Sequence, residues 1–313
     1  MRRKDMLFKS AISSLVLIAF FLFSFFTSCT LPAFGTTEPE DLQNSTEVSD
    51  IIEESVPEVN DELVIDSIPA LGGDCTLVIN DGKAMLIDGG IHSAYPEIKA
   101  TLEKYNIDKI DILIITHPHK DHIGGLEETI LYHEIGKIYM IDEEYDSDSY
   151  YELMDIISWS GDETVYAKAG MRFDFANTEC KILNPGNESF KNLNNNSIVL
   201  KMAYKDKSFL FVGDLEKKGE KDLLSTPYNL KADFLKVGHH GVDDASSNKF
   251  LNTVNPDYAL IPSKKNHSYE KTLDKLLERK VKVYVSMDDY HIVFSYAGDD
   301  IKVSSYPSLT YEE

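Results

Sequence analysis

The sequence predicts an α/β fold for residues 63–313, because short β-rich runs alternate with segments of helical period. Three observations carry this prediction. The run Ile110–Ile115 is continuously apolar, as expected of a strand that is buried on both faces of a sheet. The turn Asn80-Asp81-Gly82 separates two β-rich runs and is typical of a hairpin loop. Tyr95–Tyr105 carries apolar residues at helical spacing and precedes the buried strand.

The remaining elements continue this alternation along the chain. Further strands are predicted at Leu63–Ile68, Cys75–Ile79, Ala84–Ile87, Lys137–Ile141, Ile198–Tyr204, Ser208–Val212, Phe234–Val237, Tyr258–Ile261 and Val281–Val285. Further helices are predicted at Glu216–Leu224, Ser247–Val254 and Tyr269–Arg279. Because strands and helices interleave without an internal linker, we expect residues 63–313 to form one domain.

Charge divides the chain of 313 residues into three parts. Its 31 Lys+Arg and 53 Asp+Glu give a net charge of −22, of which residues 1–29 contribute +3. Residues 30–62 carry ten acids and no base, and residues 63–313 carry −15. Such a chain is not a general nucleic-acid coat protein, because those offer Lys and Arg to phosphates. We therefore expect a monomer that forms no stable nucleic-acid complex, although an enzyme acting on nucleic acid is not excluded.

The N-terminus has the pattern of a secretory signal, with a basic start followed by the apolar run Ser10–Phe26. Phe26-Thr27-Ser28-Cys29 then resembles the lipobox of bacterial lipoproteins. We predict a signal peptide over residues 1–28, lipid-modified Cys29 and a disordered acidic tether over residues 29–62. An uncleaved anchor helix is the alternative, since 17 apolar residues approach the length that spans a bilayer. Either reading predicts an exported protein, anchored on the extracytoplasmic face of the cell membrane.

Two further cysteines, Cys75 and Cys180, occur in apolar, strand-like surroundings. In an exported protein they could pair, but a sequence does not give the separation of their Cα atoms. We expect buried free thiols.

Metal-binding side chains follow directly after the buried strand, at His117, His119, Asp121 and His122. Loops at the carboxyl ends of strands form the ligand site in open α/β sheets. Imidazoles and carboxylates in one short loop suit Zn²⁺ or a similar divalent ion. Four ligands this close in sequence cannot all reach one small ion without strain. The segment therefore predicts a site for two metal ions.

Two other strand ends complete this pattern. Asp214 follows the strand that ends in Phe211-Val212-Gly213, where a carboxylate can bridge two cations. His239 and His240 follow the strand that contains Lys236. Adjacent histidines beside a glycine in a loop are typical of ligand binding. We expect two Zn²⁺ ions at the combined site, with Mn²⁺ as the alternative.

These residues resemble the metallo-β-lactamase superfamily, which is marked by a His-x-His-x-Asp-His segment. More narrowly, the chain resembles the branch with the hydrolase domain of the ComEC/Rec2 competence proteins and the phosphorylcholine esterases. The resemblance extends over residues 63–313 and includes Ile87–Gly90, His117–His122, Asn195–Leu200, Val212–Glu216, Lys236–Gly241, Ser263, Asn266 and His267. It implies an αββα four-layer sandwich with the metal site at one edge of its two sheets.

The resemblance also assigns ligand roles. It implies that the first metal is held by His117 and His119, the second by Asp121 and His122, and both by a bridging Asp214. One of His239 and His240 completes the second site, with His240 favoured, and the other faces the substrate. Asp88 is expected to hold a ligand imidazole in its tautomer, the alternative being a turn acid before Gly89.

Asn194-Asn195-Asn196-Ser197 departs from the many relatives that place another histidine ligand there. Asn196 and Ser197 are therefore expected beside a first metal site that is open to water or a substrate oxygen. The competence-type branch shares this replacement.

Asn266 and His267 lie on a loop that approaches the scissile group in this branch. His267 could donate to a phosphate oxygen or protonate the leaving group, and the alternative is an exposed loop histidine. The acidic and aromatic stretch Tyr145–Tyr151, together with Trp159, is interpreted as an insertion near the site or a lid. His92, His133 and His291 are assigned to the surface or the core.

The predicted function is metal-dependent hydrolysis, in which Asp121 orients the attacking water. A phosphodiester in an extracellular nucleic acid or a wall polymer is the favoured substrate. One alternative is a β-lactam or thiol-ester hydrolase of the same fold, and the missing histidine disfavours it. Another is a non-catalytic surface lipoprotein that binds a metal or a wall polymer.

Overall fold

The computed structural model describes residues 62–186, 188–262, 268–286 and 289–310. The predicted signal peptide, Cys29 and nearly all of the tether lie outside these residues. Among the described residues, no helix has both the length and the apolar character needed to cross a membrane.

The first sheet has eight strands and combines antiparallel and parallel pairing. Its strands are β1 (Leu63–Ser67), β2 (Thr76–Asn80), β3 (Lys83–Ile87), β4 (Lys109–Ile115), β5 (Glu134–Met140), β6 (Glu163–Tyr166), β14 (Tyr290–Tyr296) and β15 (Lys302–Pro307). They are arranged in the order β15-β14-β1-β2-β3-β4-β5-β6, with parallel pairing from β3 to β6.

The second sheet has seven strands. They are β7 (Arg172–Phe175), β8 (Thr178–Asn184), β9 (Val199–Tyr204), β10 (Lys207–Phe211), β11 (Phe234–Lys236), β12 (Tyr258–Pro262) and β13 (Lys282–Ser286). The order is β13-β12-β11-β10-β9-β8-β7, and strands β10 to β13 are parallel.

Helices cover the outer face of each sheet. The first sheet is covered by α1 (Tyr95–Lys104), the short α2 (Lys120–Ile123), α3 (Leu126–Tyr132) and α4 (Asp148–Ser160). The second is covered by α5 (Lys217–Leu223), α6 (Asn248–Val254) and α7 (Glu270–Glu278). The layers therefore follow the predicted αββα order.

An apolar core lies between the two sheets, and its central side chains include Ile65, Val78, Met85, Ile114, Leu200, Phe209, Phe211, Phe234 and Phe294. Burial of each such side chain contributes about 1.5–3 kcal/mol. Two more cores join the sheets to their helices. Four layers with three cores satisfy the apolar faces of both sheets.

The predicted hairpin is confirmed, because β2 and β3 pair with Asn80 opposite Lys83 across a two-residue loop. Asp81 and Gly82 have φ values of 49° and 70°, as a type I′ turn requires. The predicted strands and helices are found with ends shifted by up to three residues.

The interpretation of Tyr145–Tyr151 and Trp159 as a lid is wrong, because most of this stretch belongs to a helix packed on the first sheet. Residues Asp148–Ser160 form α4, which packs on the first sheet and connects its strands β5 and β6. Its Tyr150, Leu153 and Ile157 are buried at helical spacing, whereas Trp159 is exposed. The helix is part of the fold.

Cys75 and Cys180 are buried and unpaired, as expected. Burial raises the pKa of both thiols above its ordinary value. Neither thiol is therefore a reactive nucleophile in this fold.

Candidate metal centre

The carboxyl ends of four strands bring the ligand-type side chains together. His117 follows β4, Asp214 follows β10, and His240 follows β11, while Asp88 follows β3. The backbone N–H of Ile198 donates to the carbonyl of Thr116 over 3.0 Å and joins the ends of the two sheets. The site therefore lies where both sheets meet at one edge.

His117 and His119 form one half of the site. Their Nε2 and Nδ1 atoms lie 3.1 Å apart, close to the separation of about 3.3 Å for two nitrogens on one tetrahedral Zn²⁺. His117 Nε2 also lies 3.7 Å from Asp214 Oδ2. These two imidazoles and one carboxylate could hold one ion.

Asp88 orients two imidazoles. Its carboxylate accepts hydrogen bonds from His122 Nδ1 over 2.8 Å, and from the backbone N–H and Oγ1 of Thr116 over 2.8 and 2.7 Å. Because the Thr116 hydroxyl donates to Asp88, its oxygen is the acceptor for His117 Nδ1, 3.1 Å away. Both histidines therefore present Nε2 to the site, which is the tautomer control predicted for Asp88.

Asp121, His122 and His240 form the other half. Their ligand atoms lie within 4.8 Å of one another, with His240 Nε2 3.4 Å from Asp121 Oδ2. His240 Nδ1 donates to the carbonyl of Pro262 over 3.0 Å, which leaves Nε2 facing the site. His240 is 1% exposed, so the structure places it, rather than its neighbour, as the buried ligand candidate.

His239 lies on the open side of the site. Its Nδ1 donates to Asp244 over 2.9 Å, and its Nε2 lies 3.8 Å from Asp214 Oδ2. His239 and His240 both have positive φ, 47° and 51°, which is costly for residues other than glycine. This backbone turns both imidazoles toward Asp214.

Two buried polar atoms at the centre of the site lack a hydrogen bond within the described part of the chain, His122 Nε2 and Asp214 Oδ1. Leaving such atoms unpaired is expensive, and buried charges normally pair or coordinate metals. Imidazole nitrogens and a carboxylate are the ligands that Zn²⁺ prefers. The donor set therefore fits divalent ions.

Burial lowers the pKa of both His117 and His122, but neighbouring carboxylates reverse the outcome for His122. Burial, with His122 nearby, lowers the pKa of His117 well below its ordinary value, so this imidazole is neutral. Burial also opposes charge on His122, but Asp214 and Asp88 outweigh it and raise its pKa well above the ordinary value. His122 and His240 likewise overcome burial and hold the pKa of Asp214 well below its usual range. Asp214 is therefore an anion between imidazoles.

The segment that replaces the third histidine reaches a ligand candidate through Ser197. Ser197 Oγ accepts a hydrogen bond from the backbone N–H of Asp214 over 3.1 Å. The side-chain amide of Asn196 is bonded to the backbone of Phe190 in both directions over 2.9 Å. Ser197 therefore positions Asp214, whereas Asn196 fixes a loop. Asn266, His267 and Ser263 lie outside the described residues.

Two further residues, Glu216 and Tyr145, lie beside the histidines of the site. Glu216 accepts hydrogen bonds from the side chains of Asn192, Asn194 and Asn195, and its Oε1 lies 3.9 Å from His239 Nδ1. Tyr145 packs against His119 with ring centroids 5.1 Å apart. The sequence placed their segments, Val212–Glu216 and Tyr145–Tyr151, at or near the site, but it gave no signal for these individual contacts.

The fold and this site define a class of metal-binding α/β proteins. The chain belongs to the metallo-beta-lactamase superfamily, which it matches over residues 68–263. The matched region contains Asp88 and all of the described ligand candidates.

The chain is similar to two curated bacterial proteins. The chain is 30% identical to ComE operon protein 3 of Bacillus subtilis over 206 residues, covering 64% of this chain and 26% of that protein. It is 27% identical to Competence protein ComA of Neisseria gonorrhoeae over 228 residues, covering 72% of this chain and 30% of that protein. The chain thus spans less than a third of the length of either relative.

A solved structure shares the fold. The metallo-beta-lactamase fold protein YhfI from Bacillus subtilis matches with a TM-score of 0.53 and 11% identity, covering 75% of this chain and 100% of that chain. Together with the family match and the buried His and Asp clusters, the fold is consistent with a binuclear metal site.

Proposed function

We propose that the protein is a metal-dependent hydrolase, and more narrowly an exported phosphodiesterase with two metal ions. The observation that carries the proposal is that two buried atoms, His122 Nε2 and Asp214 Oδ1, have no hydrogen bond within the described part of the chain and lie among ligand-type side chains. His117 and His119 lie on one side of this pair. On the other side, His240 lies beside Asp121. Such an arrangement suits catalysis that needs two adjacent cations.

Each side chain has a role in this proposal. His117 and His119 would hold one ion; Asp121, His122 and His240 would hold the other, and Asp214 would contact both. Two bound divalent ions supply positive charge and lower the pKa of a water toward about 7.

The residues around the ligands would orient the reactants. The carboxylate of Asp121 would orient the attacking water, while Asp88 keeps the proton of His122 on Nδ1. Asp244 holds Nδ1 of His239, so that Nε2 is available to a substrate oxygen on the open side. His267 stays a candidate donor to the leaving group.

The phosphodiester is favoured because the chain resembles the ComEC/Rec2 branch, and because a first metal site without the additional histidine could seat a phosphate oxygen. The domain is acidic, yet a single linkage needs few bases when bound ions supply local positive charge. We propose an extracellular nucleic acid or a phosphate-containing wall polymer as substrate. The identity of the ions, Zn²⁺ before Mn²⁺, is part of the same proposal.

Hydrolysis of bis-p-nitrophenyl phosphate tests this function. The full-length protein is stripped with a chelator and reloaded separately with Zn²⁺ and Mn²⁺. We expect turnover that returns with metal and is lost in Asp121→Ala and His119→Ala. His92→Ala, which removes an exposed histidine, serves as the matched control and should retain turnover. Unchanged turnover in the two ligand variants would refute the proposal.

Two further assays separate the alternatives. Nitrocefin or thiol-ester turnover without phosphodiester turnover would identify another hydrolase of this fold. Tight metal binding without turnover of any of these substrates would indicate a binding lipoprotein.

We also propose that the protein is exported and anchored to the cell membrane by a lipid on Cys29, with a monomeric domain outside. The support is the sequence pattern of residues 1–29. Cells labelled with a fatty-acid analogue should yield a labelled wild-type protein and an unlabelled Cys29→Ser variant. Equal labelling of both would contradict lipidation at this residue.

A further inference from the structure

We propose that the buried ion pair of Lys236 and Asp74 positions the two halves of the second metal site. The inference rests on the proposed metal centre and adds a pair of positioning residues to it. Neither side chain is a ligand candidate of the two main groups, and both are 1% exposed.

The ion pair crosses from one sheet to the other. Lys236 is the last residue of β11, three positions before His239, and its Nζ donates to the carboxylate of Asp74. Asp74 lies in the loop that precedes β2 of the first sheet. The second site is divided in the same way, since Asp121 and His122 follow β4 of the first sheet and His240 follows β11 of the second. The pair therefore joins the same two elements that must approach each other to form the site.

The backbone of Asp74 is packed directly on a ligand candidate. Its N–H donates to the carbonyl of Asp121 over 2.9 Å, and its own carbonyl accepts from Gly90 over 2.9 Å. A Cβ on the neighbouring Gly73 would lie 2.4 Å from the carbonyl oxygen of Asp121, so only glycine fits there. A shift of Asp74 would thus move Asp121.

The charge of Lys236 also matters at this place. The carboxylates of Asp74 and Asp88 and a ring nitrogen of His122 lie within 4.8 Å of one another, all buried. Lys236 provides a counter-ion to Asp74, which leaves Asp88 as the acceptor of the His122 Nδ1 proton. Without the lysine, a second buried carboxylate would be left to compete for that imidazole.

Stability alone does not explain such a pair. Desolvation of two buried charges offsets most of their attraction, and apolar replacements are often as stable. Fixing one arrangement of two elements is the better-attested use of buried polar groups. In this protein, the arrangement is the approach of His240 Nε2 to Asp121 Oδ2, 3.4 Å apart.

Titration of the stripped full-length protein with Zn²⁺ against a chromophoric chelator tests the inference. The double variant Lys236→Met/Asp74→Asn removes both charges together. We expect two binding steps in the wild type. His240→Ala identifies the step that belongs to the second site, because it weakens that step. The zinc affinity of this step should fall about 10–100-fold in the double variant, while the affinity of the other step changes less than about threefold.

His291→Gln is the matched control, because it disrupts a buried charged cluster with Asp66 and Glu97 that contains no ligand candidate. It should lower the unfolding temperature and leave both zinc affinities unchanged. If the double variant does not fold, Lys236→Arg keeps the charge with a different geometry and should weaken the same step by about tenfold.

Unchanged affinities in the folded double variant, or in Lys236→Arg where only that variant folds, would overturn the inference. That result would leave the proposed function intact. Failure of the wild type to bind two ions would instead refute the metal centre itself. The two failures are therefore distinguishable.

Discussion

Two buried histidines of this protein each lie between two carboxylates, but only one of the two clusters is complete. His291 bonds to Asp66 over 2.8 Å and to Glu97 over 2.7 Å. His122 bonds to Asp88 over 2.8 Å, whereas its Nε2 forms an ion pair with Asp214 Oδ2 at 3.2 Å and has no hydrogen bond among the described residues.

The carboxylates around His291 are also satisfied by other groups. Tyr105 and Tyr306 donate to Asp66, and the Ser308–Thr310 segment donates to Glu97. Asp214 Oδ1, by contrast, has no hydrogen-bond partner among the described residues. We infer that the complete cluster fastens the C-terminal segment to α1, whereas the incomplete cluster is built to receive ions.

The largest expected effect is on hydrolytic activity, which should depend on the incomplete cluster and not on the complete one. His122→Ala removes a proposed ligand and should lower the kcat/KM of phosphodiester hydrolysis at least about 100-fold. His291→Ala, the same substitution in the complete cluster, should leave the activity of the folded fraction near the wild-type value. Initial rates normalised to folded protein check this, and equal losses in the two variants would contradict the comparison.

The second prediction concerns stability, to which the complete cluster should contribute more than the incomplete one. His291→Gln removes the positive charge that the two buried carboxylates share, so it should destabilise the domain by about 3–5 kcal/mol. Urea unfolding followed by circular dichroism measures this loss. A variant as stable as the wild type would show that the complete cluster does not hold the fold.

A smaller effect is expected at Asp88. Asp88→Asn should weaken metal binding about 10–100-fold, because the amide no longer fixes the protons of His122 and Thr116. Competition with a chromophoric chelator measures the affinity. Asp66→Asn, the corresponding change at the complete cluster, should leave it unchanged.

The complete cluster also predicts a dependence of stability on pH. Burial opposes charge on Glu97, but hydrogen bonds from His291 and Leu309 outweigh it and lower its pKa from 4.5 to about 2. Its stabilisation is therefore present above pH 4.5 and is lost as the pH falls toward 2. Burial also opposes charge on His291, yet Asp66 and Glu97 raise its pKa above 6.5. That stabilisation is present below pH 6.5 and is lost as the pH rises through the raised value.

The difference in the free energy of unfolding between wild type and His291→Gln isolates these contributions. For the stripped protein, the difference should be largest between about pH 4.5 and 6.5. A difference that does not vary with pH would contradict the assignment.

The smallest expected effect is the release of a proton when a metal ion binds. The raised pKa of His122 means that this imidazole is charged in the stripped protein at neutral pH, and a metal ligand must be neutral. Metal binding should therefore release a proton and strengthen as the pH rises. Calorimetry in two buffers of different ionisation enthalpy measures the release, and identical heats in both would contradict it.

Much of the metal centre could be predicted because each group of ligands directly follows a recognisable strand. The segment His117–His122 follows an unbroken apolar strand, and Asp214 and His240 follow two others, so each strand end was visible by itself. The pairing of Lys236 with Asp74 joins residues 162 positions apart, and no periodicity reveals it. The same holds for Asp66 and His291.

Three elements that the sequence did not predict, α4, β7 and β15, have a physical explanation. In α4, acids and aromatics hide a buried face that is formed by only three side chains. The edge strands β7 and β15 have mostly half-exposed or exposed residues, so they lack the apolar runs that identified the central strands. Edge position weakens the sequence signal of a strand.

The most direct test of the central claim is the metal content of the purified protein after loading with Zn²⁺ and removal of excess ion. The wild type and His291→Gln should each retain two ions per chain, and His122→Ala should retain fewer. A wild-type protein that retains none, or a His122→Ala variant that retains two, would contradict the assignment of the incomplete cluster as the metal centre.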